Sequence, residues 1–463
     1  MASILEPSAL FSQVATDTLY VTALVASVWG VAAAFKKKKT QPDVWKVHGK
    51  YYDLTKFLDK HPGGSAFLEI AKNTDITALF ESHHVHDADR IRETILPKYE
   101  ITEPEAMAKG WIPIEGAPEW DFSKGGFFKE TQKGVAEALP KSILSKHDWW
   151  YDSFILFAAV LSWFAVYNVF FNPSYKAFWY TVTFFSRVTV VSGAGHYYLH
   201  SGESWREIFW DFYSPMSSWV WKYEHCISHH IHTSTQYDLQ MSGPRQIRKF
   251  PGTPNPIRVF LLFGVSPFLT YLKNFGTFVE TGAPLKYYLY KVPMFVEFII
   301  AYRAGMVVPY AIFIALAAIY SILFLFCSHQ LPEQQLAVSA KLLNEKHLTT
   351  APYIKDNLKV HPRDWGLHQM MTSKDFYVTG NYTFDNFIMI IAHNQVAHHF
   401  FPIFNPLHYE VVEEVISKQL KKFNLPHEYI EKRSFVGCVP ELVSSLCHHT
   451  LEDFHEIFTG AAA

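Results

Sequence analysis

Residues 225–230 read His-Cys-Ile-Ser-His-His, which brings three histidines within six residues. Two further groups repeat the pattern: residues 196–200 read His-Tyr-Tyr-Leu-His, and residues 395–399 read Gln-Val-Ala-His-His. Each group lies beside a long apolar stretch that is rich in aromatic residues. Imidazole is the commonest metal ligand among side chains, and ordinary packing gives no reason to repeat such groups three times. The pattern therefore predicts a metal site where apolar helices end.

The number of candidate ligands predicts two metal ions. On an α-helix, residues four positions apart share a face, so His225 and His229 would face one way and His230 a neighbouring way. Neutral imidazoles suit iron, zinc or copper, and no cysteine cluster competes with them. The candidates exceed what one metal ion takes. They are His196, His200, His225, His229, His230, His398 and His399.

Composition indicates a membrane protein with a large polar portion. The 463 residues include 39 Phe and 25 Tyr, and these crowd into the apolar stretches, as is typical of membrane proteins. Mean hydropathy is nevertheless only +0.01. The net charge of -2 predicts no nucleic-acid partner. The four cysteines have no CxxC spacing, which favours a reducing, cytosolic environment over a disulfide framework.

Several apolar stretches are candidates for membrane-spanning helices. The first, Leu19–Phe35, ends at four lysines, which favours an anchor with a cytosolic C-terminal side; an amphipathic surface helix is the alternative. Two hairpins are predicted further along. They pair Trp149–Phe171 with Ala177–Gly195, and Tyr290–Tyr302 with Met306–Phe326. Because each hairpin returns to its starting side, the histidine groups and His329 would all lie on one face of the membrane.

Residues 43–105 are polar and compact, and they carry a second kind of histidine motif. His61-Pro62-Gly63-Gly64 forms a predicted tight turn, and the pair His83-His84 follows it. This segment, including the region of Trp45, resembles the cytochrome b5 family. The resemblance implies a haem b with His61 as one axial ligand and His84 as the other, His83 being the alternative. Two histidine ligands saturate the iron, so such a haem carries electrons.

The three histidine groups resemble the boxes of the membrane fatty-acid desaturases, HxxxH, HxxxHH and QxxHH. Within that family they are most similar to the front-end subfamily, which carries a fused cytochrome b5. Gln395 in place of the first histidine of the third box is a feature of that subfamily. Phe400-Phe401-Pro402, His408-Tyr409 and a histidine after the last spanning helix, here His329, also look like the family. The first box departs from the usual front-end pattern, with Tyr197 and Leu199 where Asp and Gly are common.

The resemblance implies a mostly α protein in which a soluble α+β cytochrome b5-like domain precedes a multi-pass helical membrane desaturase domain with a cytosolic, histidine-rich di-iron cap. The expected divisions are a membrane anchor (1–40), the haem domain (43–105), a linker (106–147) that gives it reach, the desaturase domain (148–435) and a C-terminal tail (436–463). The implied catalytic set is His196, His200, His225, His229, His230, His329, Gln395, His398 and His399.

The implied reaction is oxygen-dependent insertion of a cis double bond into a polyunsaturated acyl chain. Its cofactors would be two non-haem irons and haem b, and its partners a fatty acyl lipid, the membrane and an NADH-cytochrome b5 reductase. The endoplasmic reticulum is the expected location, with the catalytic face cytosolic. Alternatives are a hydroxylase or sphingolipid desaturase on the same scaffold, a membrane-anchored haem electron carrier, and a zinc hydrolase.

Other histidines are weaker candidates. His232 is expected beside the metal site or the substrate path, and His393 could assist Gln395 or replace it as a ligand. His361 and His368 are expected to be ordinary loop or surface histidines, and the pair His448-His449 a coincidental imitation of a box.

Overall fold

The structure is a computed structural model, and it describes residues 42–114, 117–145, 148–202, 204–214, 216–241, 281–334, 360–361, 363–381, 384–385 and 392–447, with short stretches between 12 and 27 and between 259 and 277. The predicted anchor Leu19–Phe35 lies mostly outside these residues, as does the pair His448-His449.

An α+β unit forms the N-terminal part, as predicted. Its four short strands are Trp45–Val47, Lys50–Tyr52, Thr74–Asp75 and Glu100–Ile101. The first strand pairs antiparallel with the second and parallel with the third, and the fourth adds antiparallel to the second. Trp45 and Tyr52 face each other across the first pair and are buried, so one face of the sheet forms the core.

Short helices surround this sheet and carry the two motifs that resemble a haem site. They are the helices Ala66–Ile70, Thr77–His83, Ala88–Thr94 and Glu103–Ala108, and the 3-10 helices Thr55–Lys60 and Leu96–Tyr99. His61 follows the first 3-10 helix, and His84 caps the helix Thr77–His83. The positive φ of +83° at Gly64 closes the turn after His61 and requires a residue without a Cβ.

The predicted linker is packed rather than extended. It contains the helix Phe127–Ala138, here called the linker helix. Phe127 and Phe128 are fully buried in it, against Phe400 and other aromatic rings of the C-terminal half. On the other side, Lys129 Nζ lies 2.8 Å from the buried Glu81 carboxylate of the N-terminal unit. The linker helix therefore fixes the N-terminal unit against the rest of the chain, and the expected reach is not seen.

The four predicted hairpin segments are helical. They form Trp149–Phe171, Lys176–Gly193, Val292–Arg303 and Val307–Gln330. Within the described residues, two helical stretches, Ser142–Phe171 and Val307–Gln330, are long and apolar enough to cross a membrane. The first two helices pack along each other. Arg187 forms a buried ion pair with Glu297, which ties the second helix to the third.

The remaining elements precede, connect or follow these helices along the chain. They are the helices Ser142–Ser145, Ile208–Asp211, Ser218–Trp221, His230–His232, Leu285–Leu289, Trp365–Thr372, Gln395–Phe400, Tyr409–Phe423 and Phe435–Cys447; the 3-10 helices Trp205–Glu207, Ala392–Asn394, Pro406–His408 and His427–Tyr429; the π-helical segments Ala194–Tyr198 and Lys222–His229; and the paired strands Phe376–Tyr377 and Arg433–Ser434.

The start of the predicted C-terminal tail is ordered. The helix Phe435–Cys447 packs against the long helix Val307–Gln330, where the rings of Phe435 and Phe324 stack with centroids 4.0 Å apart. Its apolar side explains this packing, because Cys438 and Leu442 are buried there. Residues 435–447 thus belong to the helical body.

Candidate metal centre and haem site

Seven buried histidines gather into two groups that could each hold a metal ion. The first cluster is His200, His225, His230 and His398, and the second cluster is His229, His329 and His399. In each cluster the ligand atoms lie within 4.8 Å of one another. The clusters adjoin, since the rings of His230 and His399 stack with centroids 4.4 Å apart. Each of the two adjoining sites could hold a metal ion, and the number of ions stays a prediction.

The winding of the second box explains how one stretch serves both clusters. Residues 222–229 form a π-helical segment, whose hydrogen bonds run from residue i to i+5. His225 and His230, five residues apart, therefore meet, with their Nε2 atoms 3.3 Å apart. His229 belongs to the other cluster. His225 and His229 nevertheless lie side by side, as their spacing predicts, with stacked rings whose centroids are 5.2 Å apart, although they contribute to different clusters.

Hydrogen bonds to the Nδ1 atoms orient the second cluster. The Nδ1 of His229 lies 2.7 Å from Asp238 Oδ2, and both side chains are fully buried. His399 Nδ1 lies 2.8 Å from Gln369 Oε1, and His329 Nδ1 lies 2.8 Å from the Thr372 carbonyl oxygen. Since each Nδ1 is engaged, Nε2 is the atom that can face a metal, which is the usual arrangement around metal-bound histidine; in His329 this atom also lies beside Gln395.

Two of the four histidines of the first cluster, His225 and His398, are held in the same way. His225 Nδ1 lies 2.6 Å from Gln240 Oε1, and His398 Nδ1 lies 3.1 Å from the Tyr409 hydroxyl. His200 follows the other π-helical segment, and its Nε2 lies 3.7 Å from Cys226 Sγ. Sequence reasoning missed Asp238, Gln240 and Gln369 as supports. Only Tyr409 carried a signal, through its resemblance to the family.

The donor set fits metal ions. Among the described residues, the buried Nε2 atoms of His229 and His399 have no hydrogen-bond partner, although buried polar groups normally find one. Burial and the neighbouring imidazoles hold the pKa values of His230 and His399 well below the usual range, so both rings are neutral and can donate a lone pair. Burial alone would raise the pKa of Asp238, but His229 and backbone N–H groups lower it and keep it a carboxylate.

Gln395 lies at the edge of the second cluster. Its amide nitrogen is 3.0 Å from His329 Nε2, and its side chain is buried. Gln395 therefore contacts a candidate ligand at the ring nitrogen that is not bonded to the Thr372 carbonyl oxygen. Its role stays a prediction.

The other predicted histidines fall in different places. The side chain of His196 lies outside the described residues. His232 and His393 are buried but belong to neither cluster, and burial lowers the pKa of each to about 4. His361 is exposed as expected, whereas the surface assignment of His368 is wrong. It is buried, with Nε2 2.9 Å from the Thr233 carbonyl and its ring 4.3 Å from that of Trp120.

His61 and His84 face each other in the N-terminal unit. Their ring centroids are 6.3 Å apart. Each Nδ1 lies 2.8 Å from a backbone carbonyl oxygen, that of Gly64 for His61 and that of Phe80 for His84. This leaves both Nε2 atoms for a shared iron, which at metal–nitrogen distances of about 2 Å fits between the rings. Burial lowers both pKa values, which favours the neutral, ligating forms. His83 faces elsewhere.

Comparison with known proteins identifies the family to which the chain belongs. Residues 32–104 match the cytochrome b5-like haem/steroid binding domain, and residues 188–430 match the fatty acid desaturase family. The second match covers more than half of the chain. The chain belongs to the fatty acid desaturase family and carries a fused cytochrome b5-like domain.

Similar proteins cover most of the chain at low identity. A "Cytochrome b5-related protein" of Drosophila melanogaster is 26% identical over 80% of this chain and 81% of its own length. A "Probable Delta(5) fatty acid desaturase C" of Dictyostelium discoideum is 22% identical over 84% and 88%. An "Acyl-lipid (8-3)-desaturase" of Mortierella alpina is 22% identical over 84% and 90%. No solved structure matches the chain.

Proposed function

We propose that this protein is a front-end acyl-lipid desaturase, which uses O2 and electrons from its own haem domain to place a cis double bond in an unsaturated fatty acyl chain. The observation that carries the proposal is the assembly of three distant histidine boxes and His329 into two adjoining clusters, in a chain that also holds a paired-histidine haem site. Relatives with desaturase names and the same two matched domains support it.

Each cluster would hold one iron, and His61 with His84 would hold haem b. When bound, the irons would supply oxygen-dependent redox chemistry and the haem one-electron transfer. In the balanced reaction, one CH2–CH2 unit, one O2, two electrons and two protons are consumed, and one cis CH=CH unit and two waters are formed. An NADH-dependent cytochrome b5 reductase is the proposed source of electrons.

The work of the protein's own residues is to fix the ligands before reaction. Asp238 and Gln369 hold His229 and His399 through their Nδ1 atoms, so the metal-binding nitrogens need no reorientation. Burial of all seven histidines excludes bulk water, which protects an oxidising centre from side reactions. His196 and Gln395 are proposed to complete the ligand shell of the site, directly or through a neighbour.

The membrane placement is part of the proposal. The apolar helices would form a multi-pass domain in the endoplasmic reticulum, with both clusters and the haem unit on the cytosolic side. Support comes from the position of the histidines at helix ends: His329 lies near the end of Val307–Gln330, and the first box follows Lys176–Gly193.

Fatty-acid profiling tests the proposed function. The full chain is expressed in a host that has its own cytochrome b5 reductase, and polyunsaturated acids are supplied and analysed by gas chromatography–mass spectrometry. A new, more unsaturated acid is expected with the wild type and with the surface control His427→Ala, but not with His229→Ala. An oxygenated product would show that the protein is a hydroxylase and not a desaturase. An unchanged profile in His229→Ala would contradict the proposed role of the second cluster.

A further inference from the structure

Two adjacent histidines at the end of one helix face two different sites. The helix Thr77–His83 ends beside His84, and each ring is bonded through Nδ1 to the carbonyl four residues earlier, Leu79 for His83 and Phe80 for His84. Consecutive residues of a helix point in different directions. His84 therefore faces His61, while His83 turns toward the desaturase body.

His83 reaches the first cluster. Its ring centroid lies 6.2 Å from that of His200, and the two planes are inclined by 34°. Phe67 packs on His83 at a centroid distance of 6.0 Å. Among the described residues, the shielded Nε2 of His83 has no hydrogen-bond partner. The ring is thus held by its neighbours in a contact between the two halves of the molecule.

The other haem-site histidine is linked to the same place. Gly63 lies two residues after His61, and Gly202 lies two residues after His200. A Cβ at Gly202 would lie only 3.3 Å from the Gly63 carbonyl oxygen, and Gly202 has a φ of +111° that favours glycine. Both histidines of the haem site therefore have a chain neighbour in contact with the segment 200–202.

We propose that His83 is the positioning residue that couples the haem site to the first cluster, so that electrons cross at the contact between His83 and His200. This rests on the proposed function, in which the haem held by His61 and His84 would give up one electron at a time and the iron held by the first cluster would accept it. Two such transfers would supply the two electrons that, together with two from the CH2–CH2 unit, reduce one O2 to two waters. The packed linker helix keeps this contact in place, so the haem unit would transfer electrons while it remains packed against the desaturase domain.

Haem reoxidation in the full-length protein tests the coupling. Protein loaded with haem and iron is reduced without oxygen and then mixed with O2 and acyl substrate, and haem absorbance is followed. Protein whose non-haem iron has been removed by a chelator gives the background rate. His83→Ala is compared with His83→Phe, which keeps a ring against His200, and with His427→Ala, an exposed control.

The expected result is reoxidation slowed by about tenfold to a hundredfold in His83→Ala, the cost of misplacing reacting groups by about 1 Å. His83→Phe should recover most of the rate, and all variants should keep the midpoint potential and the bis-imidazole spectrum of the haem. A wild-type rate in His83→Ala, equal slowing in His83→Phe, or loss of the bis-imidazole spectrum would each overturn the proposal.

The coupling and the proposed function can fail separately. If the wild type makes no unsaturated product, but its haem is oxidised through non-haem iron and His83→Ala slows that step, the coupling stands and the desaturase function falls. If product forms and His83→Ala reoxidises at the wild-type rate, the function stands and the coupling falls.

Discussion

Replacing Asp238 by Asn removes the negative charge that orients His229 in the second cluster. The carboxylate lies 2.7 Å from His229 Nδ1, both side chains are fully buried, and Asp238 also accepts the backbone N–H groups of Ser234 and Met241. Asn has nearly the same shape but only one oxygen acceptor, so the change removes the charge and leaves an NH2 group facing one of the N–H donors that the carboxylate accepts.

The expected cost follows from the kind of hydrogen bond that is lost. A hydrogen bond to a charged group contributes about 1.5–3 kcal/mol, which corresponds to roughly tenfold to a hundredfold in affinity. Loss of a residue that supports a metal ligand has an effect of the same order. Asp238→Asn should therefore weaken metal binding by about tenfold to a hundredfold at the second cluster only, because the first cluster is held by Gln240 and Tyr409.

Chelator competition on the iron-loaded protein measures this effect. Metal release is expected in two phases, and Asp238→Asn should shift one phase while leaving the other. Asp385→Asn is the matched control: Asp385 is a buried carboxylate that accepts backbone N–H groups of Thr379 and Gly380, and it belongs to neither cluster. Release from Asp238→Asn at the rates of the wild type and of this control would show that Asp238 does not support metal binding through His229.

Three predictions concern stability. Burial raises the pKa of Asp364 to about 7, so the folded protein binds this proton more tightly than the unfolded chain does. The resulting contribution to the free energy of unfolding is complete below about pH 4. It is lost as the pH rises to 7, by up to about 1.4 kcal/mol per pH unit. Melting temperatures of wild type and Asp364→Asn should therefore diverge with pH in favour of the variant, and a constant difference would contradict this. Glu297→Gln leaves Arg187 buried without its charge partner and should cost about 3–5 kcal/mol in denaturant unfolding, much of it recovered by adding Arg187→Leu; a cost under about 1 kcal/mol would argue against the ion pair. Phe128→Ala should lower unfolding stability by about 3–5 kcal/mol through the cavity it leaves, and a melting temperature equal to that of the wild type would show that the linker helix is not packed as described.

The sequence could predict which histidines gather, but not how they divide. Residue spacing placed His225 and His229 on one helical face, and their rings do stack, but in the π-helical segment 222–229 His225 groups with His230 while His229 belongs to the second cluster. Whether a helix adopts π winding depends on how it packs against its surroundings, and the sequence of the histidine box is compatible with both α and π winding. Likewise, only the direction of the rings shows which of the two adjacent histidines faces His61: His84 does, whereas His83 faces His200.

The linker shows a different limit. The segment 106–147 was expected to be a linker with reach, yet the adjacent Phe127 and Phe128 anchor a short amphipathic helix in it. Their partner Phe400 lies far along the chain, so no local pattern could reveal the contact. Long-range supports such as Asp238 for His229 were missed for a similar reason, because side-chain bonding at a site has no fixed spacing.

The most direct test of two adjoining metal sites beside a haem is the ratio of non-haem iron to haem in the purified full-length protein. Elemental analysis together with a haem assay should give two non-haem irons for each haem. His225→Ala and His329→Ala, one in each cluster, should each lower that number toward one while leaving the haem content unchanged. One or no non-haem iron in a protein saturated with haem would contradict the account.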